Sequence, residues 1–194
     1  MRSSKVERKT KETEICCRLE LDGTGKSVIE TGIGFFNHML HTLSKHSGFD
    51  LELSCSGDLA VDTHHSVEDT GIVLGQAFCE ALKDKTEICR YQTFTMPMDD
   101  ALVLCSVDIS GRAYYAADAV FTCDRVGEFE TQTVDEFFRS FAENARINLH
   151  FIVFRGTNAH HIIEAMFKAL AKCLRDAVKI REDSTQVLST KGSL

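Results

Sequence analysis

The chain has 194 residues, is 43% hydrophobic and carries a formal net charge of −7 at pH 7. This length and apolar content suffice to bury a core in one domain or two small halves. The acidic balance argues against nucleic acid as a general partner. Apolar runs such as 152–154 are too short to cross a bilayer and no apolar signal segment opens the chain, so we expect a cytoplasmic protein without membrane contact. The eight cysteines lack C-x-x-C spacing, and we expect reduced, buried thiols.

In chain order, the first half predicts a hairpin, a helix, a strand and a second helix. Residues 5–21 alternate polar and apolar, and the turn at 22–25 predicts that 26–30 return as the other strand of a β-hairpin. Apolar residues recur at helical spacing from 35 to 43, and Gly48 ends this helix. Residues 49–55 indicate a strand, and the next helix runs from the loop at 56–58 to about Lys83.

The second half repeats this order. Residues 93–96 and 101–109, separated by a turn at 97–100, indicate strands, and 114–117 indicate another. A helix from about Thr133, a strand at 149–154 and a helix to about Ile180 follow. We therefore predict an α+β fold built from two tandem copies of a hairpin-helix-strand-helix unit. The copies span 1–92 and 93–182 and form one structural domain, followed by a polar tail at 183–194.

The last helix of each half opens with the same motif, His-His-x-x-Glu. On a helix the first His and the Glu share a face, whereas adjacent His side chains diverge by roughly 100°. Neighbouring His residues therefore serve two ions, or one ion each from two chains, more easily than one ion together. Imidazole and carboxylate ligands without nearby Cys favour a borderline divalent metal such as manganese, iron or zinc. One such motif could equally be helix-start His residues satisfied by hydrogen bonds, but its repetition favours metal binding.

The helix that precedes each motif carries one more ligand-type residue, His38 in the first half and Glu136 in the second. We group these residues by half, with each one assigned to the motif that follows it. The candidate metal ligands are His38, His64, His65, Glu68, Glu136, His160, His161 and Glu164. Neither half alone easily fills a six-coordinate shell with an open position, so we expect sites shared between chains.

Five collinear stretches resemble motifs of the imidazoleglycerol-phosphate dehydratase family. They lie at 8–13, 32–40, 61–72, 158–169 and 189–192 and so span nearly the whole chain. The sequence departs from the family pattern at three of the positions compared. Asn37 stands where Asp is usual, Thr42 where some members place Gln, and Glu136 where other members have His.

The resemblance implies a histidine-biosynthesis hydro-lyase that removes water from D-erythro-imidazole-glycerol phosphate to give imidazole-acetol phosphate. It implies two superposable halves, each a four-stranded sheet with helices on one face, in a homo-oligomeric cage of twenty-four chains. Two manganese ions would lie in each active site, between subunits. It also implies catalytic roles for Glu12 and Glu164, with Glu12 reaching into a neighbouring chain's site and also serving as a substrate anchor. The residues that it implies for substrate binding are Glu12, Arg90, Arg112, Lys168, Ser189 and Lys191.

Two other functions use similar ligands. A dinuclear metallohydrolase would use them to activate water, and a non-catalytic cage would use them only for assembly. The tail motif at 189–192 and Glu12 favour the dehydratase, because neither storage nor simple assembly requires them.

Overall fold

The computed structural model describes residues 2–83, 85–181 and 187–190. The first half contains three strands, a helix, a fourth strand and a second helix. These elements are β1 (Ser3–Lys9), β2 (Thr13–Glu20), β3 (Ser27–Glu30), α1 (Gly34–Ser47), β4 (Asp50–Gly57) and α2 (His64–Leu82). The α1 helix ends where Gly48 adopts a left-handed φ of 80°, as its position in the sequence predicts.

The second half repeats the same succession with one added two-stranded hairpin. Its elements are β5 (Tyr91–Met98), β6 (Ala101–Asp108), β7 (Tyr114–Asp118), β8 (Arg125–Val126), β9 (Phe129–Glu130), α3 (Thr133–Ala145), β10 (Asn148–Arg155) and α4 (Ala159–Ala177). The two four-stranded sheets have the orders β1-β2-β4-β3 and β5-β6-β10-β7. In each sheet the third strand runs parallel to the fourth, as β3 does beside β4 and β7 beside β10. The predicted α+β duplication is confirmed.

The predicted first hairpin was wrong in its turn and its partner. Residues 5–21 are two strands, because the chain reverses at 10–12 and β1 pairs antiparallel with β2. Thr10 stabilises this turn, since its Oγ1 accepts hydrogen bonds from the backbone N–H groups of Glu12 (3.1 Å) and Thr13 (3.0 Å). The strand after the predicted turn, β3, lies beside β4 instead of β2. Glu12 is thereby placed at the tip of a hairpin.

The helices of the two halves pack against one another between the sheets. Helix α1 contacts α4, and α2 contacts α3, so each half shares its helical layer with the other half. The α2–α3 contact depends on two glycines. A Cβ at Gly71 would lie 2.6 Å from the Phe137 carbonyl oxygen, and one at Gly75 would lie 2.6 Å from that of Phe141. The pair of glycines therefore lets the backbones approach closely.

Phenylalanine side chains fill much of the space between the layers. Phe36, Phe137, Phe138 and Phe167 are fully buried, and their rings contact one another or further aromatic rings at centroid distances of 4.7–5.4 Å. The eight cysteines are free thiols, of which four are buried, three are half-buried and Cys123 is exposed. Among the described residues, no helix is both long and apolar enough to cross a membrane.

Candidate metal centre and substrate-binding residues

Three candidate ligands from both halves meet at one point. Glu164 Oε2 lies 3.1 Å from His160 Nε2 and 3.4 Å from His38 Nε2. Glu164 is almost fully buried, whereas both imidazoles reach solvent. One atom from each residue lies within 4.8 Å of the others, and no other group of three such residues meets this spacing in the described part of the chain. Two imidazole nitrogens and one carboxylate oxygen therefore converge on a space that a divalent ion fits.

The grouping of His38 with the first motif was wrong. His38 lies on α1, which packs on α4, and its ring centroid is 5.9 Å from that of His160. The ring of Phe35, one turn earlier on α1, also contacts His160 at 4.9 Å. Sequence order associates His38 with the helix that follows it, but packing associates it with the last helix of the other half.

The remaining ligands of the first motif lie at the start of α2. His64 Nε2 is 3.5 Å from Glu68 Oε2, so these two side chains share a face as the four-residue spacing predicts. Glu136 lies in the first turn of α3, which packs on α2, and its carboxylate accepts hydrogen bonds from Arg139 Nη1 at 3.2 and 3.3 Å. The structure does not bring Glu136 into the cluster formed by His38, His160 and Glu164.

The second His of each motif is oriented by a carboxylate that the sequence analysis missed. His65 Nδ1 lies 3.0 Å from Asp58 Oδ2, and this hydrogen bond raises the pKa of the imidazole. His161 Nδ1 lies 2.7 Å from Asp100 Oδ1. The pKa of Asp100 is held well below its ordinary value, chiefly by a hydrogen bond from the Thr157 backbone N–H and also by the one from His161. In both His residues Nε2 is thus the nitrogen left for a ligand.

The N-termini of the two motif helices are held differently. Asn158 caps α4, since its Oδ1 accepts hydrogen bonds from the backbone N–H groups of His160 (3.0 Å) and His161 (3.4 Å). At α2, Thr63 donates from its backbone N–H (3.2 Å) and its Oγ1 (2.9 Å) to the buried carboxylate of Glu130. Both arrangements fix the backbone from which the imidazoles project.

Glu12 lies beside the first motif. Its Oε1 is 4.0 Å from His65 Nε2 in the same chain, and its side chain is 54% exposed. Asp69, which directly follows Glu68, holds the hairpin that carries Glu12, because its buried carboxylate accepts hydrogen bonds from Arg8 and Thr13. Asp69 therefore fixes the hairpin that carries Glu12 to helix α2.

Lys168 joins the second motif, as its spacing from Glu164 predicts. Its Nζ lies 2.6 Å from Glu164 Oε1, and both side chains are largely buried. Burial favours a raised pKa for Glu164, but the hydrogen bond and charge of Lys168, with the hydrogen bond from His160, lower the pKa overall. Glu164 is thus held as a carboxylate, the form that binds a metal ion.

The other substrate-binding candidates lie far from this cluster. The backbone N–H of Arg90 donates to the carbonyl of Ala177 at the end of α4, whereas His160 lies in the first turn of that helix. At 1.5 Å per residue, these ends are about 25 Å apart. The Arg90 side chain is buried, pairs with Asp108 at 2.7 Å and donates to the carbonyl of Leu188, next to Ser189. Lys191 lies outside the described residues.

Arg112 lies near the same end of the second sheet as Arg90. It is exposed in the loop after β6, and its carbonyl accepts a hydrogen bond from Asn148 at the start of β10. The backbone of that loop also meets Arg90, since the Ile109 N–H donates to the Arg90 carbonyl at 3.1 Å. Two arginines and the described part of the tail therefore lie at the same end of the second sheet.

The departure at Asn37 leaves a local hydrogen-bond network intact. Asn37 Oδ1 accepts hydrogen bonds from Thr31 N–H at 2.9 Å and from Thr31 Oγ1 at 2.6 Å. These bonds need only an acceptor oxygen, which Asn supplies as well as Asp does. They hold the first turn of α1, where Asn37 directly precedes His38.

The donor set fits a divalent ion of the manganese, iron and zinc group. It consists of imidazole nitrogens and carboxylate oxygens, and two of the imidazoles have their other nitrogen held by a carboxylate, as metal-binding His residues generally do. Within the described residues, no cysteine joins the group of converging ligand atoms. Such a donor set can bind a divalent ion, and through that ion an anionic ligand.

Comparison with known proteins finds similar sequences that belong to one family. The family model for imidazoleglycerol-phosphate dehydratase matches residues 31–174. The chain is 55% identical to the dehydratase of Caldanaerobacter subterraneus over 194 residues, covering 100% of both, and 52% identical over 193 residues to that of Lachnoclostridium phytofermentans, covering 100% of this chain and 98% of the relative.

Solved structures agree with these relatives. The Staphylococcus aureus imidazoleglycerol-phosphate dehydratase superposes with a TM-score of 0.84 at 40% identity, covering 92% of this chain and 99% of that one. The Pyrococcus furiosus enzyme gives 0.85 at 39% identity, with 97% and 100% covered. The matches extend over the fold, both His-His-x-x-Glu motifs and nearly the full length. The chain belongs to the imidazoleglycerol-phosphate dehydratase family.

Proposed function

We infer that the chain catalyses the dehydration of D-erythro-imidazole-glycerol phosphate to imidazole-acetol phosphate in histidine biosynthesis. Membership of the family carries this function, and the convergence of His38, His160 and Glu164 is the observation that supports it in this chain. The reaction removes a proton from a carbon with no adjacent carbonyl, so charge must be stabilised on the imidazole ring.

We propose that the eight candidate ligands hold two manganese ions per active site. His38, His160 and Glu164 would contribute to one of the two ion sites. His65 and His161, whose Nδ1 atoms are held by carboxylates, would bind an ion through Nε2. A bound divalent ion would supply positive charge that orients the substrate imidazole and stabilises negative charge on it. Glu68, His64 and Glu136 are the remaining proposed ligands.

We propose Glu12 as the residue that moves the carbon-bound proton. It stands at a hairpin tip held by Asp69, has a half-exposed carboxylate and lies beside His65. A carboxylate so placed can reach a ligand held by the His residues, and positioned acid–base groups contribute about 10²–10⁴-fold to rates. Glu164 is proposed as a second acid–base group next to Lys168.

We propose that each active site combines residues of more than one chain. Arg90 and Arg112 lie at the opposite end of α4 from His160, about 25 Å away by helix rise, and an arginine side chain cannot span that distance. A phosphate near the metal centre would therefore contact Lys168 of the same chain. Arg90, Arg112, Ser189 and Lys191 would reach this phosphate from a neighbouring chain. This separation supports a homo-oligomer, and the proposed assembly is a cage of twenty-four chains. The cytoplasm is the proposed location, from the biosynthetic role of the family.

The test of the function is direct formation of imidazole-acetol phosphate by purified protein, assayed after metal stripping and after adding Mn²⁺. We expect activity only with the ion. Product formation that is complete in stripped protein would overturn the metal-dependent mechanism, and its absence under both conditions would overturn the function.

Sharing between chains has its own test. His160→Ala and Arg112→Ala are each expected to be inactive or nearly so, and co-assembly of the two variants should restore part of the activity, because some sites then receive both intact residues. Mixed assemblies no more active than either variant alone would contradict the shared site. Separately assembled variants mixed without exchange are the control.

A further inference from the structure

The carboxylates that hold His65 and His161 come from different places in the two halves. Asp58 lies in the loop between β4 and α2, directly before the first motif, whereas Asp100 lies in the turn between β5 and β6. A carboxylate can only accept hydrogen bonds, so Nδ1 carries the proton in both contacts. In the neutral imidazole, Nε2 then keeps its lone pair.

We propose that Asp58 and Asp100 are positioning residues that hold His65 and His161 in the tautomer whose Nε2 binds a metal ion. The inference rests on the metal centre proposed above. Carboxylates that accept from a metal-binding His generally strengthen metal affinity by about 10–100-fold. The two halves supply this carboxylate from non-equivalent segments. We therefore infer that each motif needs its own carboxylate to hold the second His.

Asp100 uses both of its oxygens. Oδ1 faces His161 Nδ1 at 2.7 Å, while Oδ2 accepts from the backbone N–H groups of Thr157 at 2.7 Å and Asn158 at 3.1 Å. These N–H groups can only donate, so an Asn at this position must turn its single oxygen towards them. Its NH₂ group then faces His161 Nδ1, which has to accept, and the ring proton moves to Nε2. Asp100→Asn thus enforces the tautomer that cannot bind an ion through Nε2.

Unlike Asp100, Asp58 does not also hold backbone N–H groups in the described residues. Its two oxygens lie 3.2 and 3.0 Å from His65 Nδ1, and within the described ranges no backbone N–H donates to this carboxylate. In Asp58→Asn the side-chain amide can therefore turn its oxygen to His65 and keep the original tautomer. The same chemical change has opposite consequences at the two positions.

The experiment measures Mn²⁺ binding by isothermal titration, and melting temperature, for the parent protein, Asp100→Asn, Asp100→Ala and Asp58→Asn. We expect Asp100→Asn to lose about 10–100-fold in affinity at the sites that use His161. Asp58→Asn should lose much less, because its amide oxygen can still accept the hydrogen bond from His65 Nδ1. Asp100→Ala removes the hydrogen bonds to Thr157 and Asn158, so it should melt lower than Asp100→Asn. It should nevertheless bind Mn²⁺ more tightly, because its His161 is free to adopt either tautomer.

This reversed order separates a tautomer effect from a merely structural one. If Asp100→Asn binds Mn²⁺ as the parent does, or more tightly than Asp100→Ala, Asp100 only anchors the loop and the inference fails. Equal losses in Asp58→Asn and Asp100→Asn would show that charge matters instead of tautomer, and would also overturn it. A parent protein that binds no Mn²⁺ would overturn the metal centre itself, a distinguishable result.

Discussion

His38 and His160 lie in different halves of the chain, yet their ring centroids are 5.9 Å apart and both Nε2 atoms face the same oxygen of Glu164. The first helix of one half thus supplies a ligand to the last helix of the other. This relationship leads directly to a binding experiment.

His38→Ala should weaken Mn²⁺ binding at the site that contains Glu164, because one of three converging donors is lost. The matched control is His41→Ala, one turn further along α1, where the exposed imidazole forms a hydrogen bond with Ser27 Oγ at 2.8 Å. Titration calorimetry should give fewer tight sites per chain for His38→Ala and the parent number for His41→Ala. Equal binding by both variants would remove His38 from the ligand set.

Glu12→Gln should lower kcat by about 10²–10⁴-fold while KM changes little, because the amide keeps the shape of the side chain but cannot take a proton. Glu14→Gln is the control, since Glu14 is an exposed residue of the same hairpin that pairs with Lys9. Steady-state kinetics with saturating Mn²⁺ is the measurement. A Glu12→Gln enzyme that turns over at the parent rate would assign proton transfer to another group.

Chelation should convert the assembly to a smaller one, expected to be a trimer, because ions shared between chains favour the larger oligomer by mass action. If the proposed ligands Glu68, Glu136 and Glu164 face one another across subunit contacts, their carboxylates would also repel one another without the cations. His65→Ala should resemble the chelated state even with manganese present. Light scattering measures the mass of chelated and manganese-replete samples, and an unchanged mass would show that protein contacts alone hold the assembly.

Gly75→Ala should destabilise the fold although alanine favours helices by about 1 kcal/mol. The added Cβ would lie 2.6 Å from the Phe141 carbonyl oxygen, and overpacking of this kind typically costs about 1–3 kcal/mol. Gly34→Ala is the control, because no atom lies within 4 Å of its added Cβ. Urea unfolding should show a lower midpoint for Gly75→Ala only. A midpoint raised in both would mean that α2 and α3 separate without cost.

Asp50 should stabilise the fold in a pH-dependent way. Backbone N–H groups of Lys26 and Thr24 donate to its Oδ1 at 2.8 Å each and lower the pKa of the carboxyl. Its stabilisation is therefore fully present above the unfolded pKa of about 3.9 and is lost as pH falls through the lower folded pKa.

The measurement is the difference in unfolding free energy between the parent and Asp50→Asn, whose amide oxygen can still accept both bonds. At pH 7 we expect the parent to have the larger unfolding free energy. This difference should decline below about pH 4. Glu52→Gln, at an exposed position of the same strand, should show almost no difference at either pH. A pH-independent difference for Asp50→Asn would refute the charge effect.

The sequence predicts the helices and most strands well because their signals are local. Gly48 ends α1 as expected, and α3 begins at Thr133 as expected. The first hairpin was missed because its turn at 10–12 contains neither Gly nor Pro. A threonine side chain satisfies the turn instead, and alternation alone does not reveal it.

The candidate site is predictable in its residue types but not in its grouping. The motif spacing correctly places His64 with Glu68 and Lys168 with Glu164. The contact of His38 with the second motif depends on which helices pack together, and no local pattern carries that information. Asp100 was missed for the same reason, since 61 positions separate it from His161.

The packing of each half's helices on those of the other half has a consequence for the origin of the two halves. A single unit of this fold has no partner on which to pack its first helix and no third donor for its motif. A half-length ancestor would therefore need a second copy of itself, related by a two-fold axis, to bury the same surfaces. Fusion of two such copies would make that association intramolecular and independent of concentration. It would also allow the two copies to diverge, so that α1 carries His38 where α3 carries Glu136.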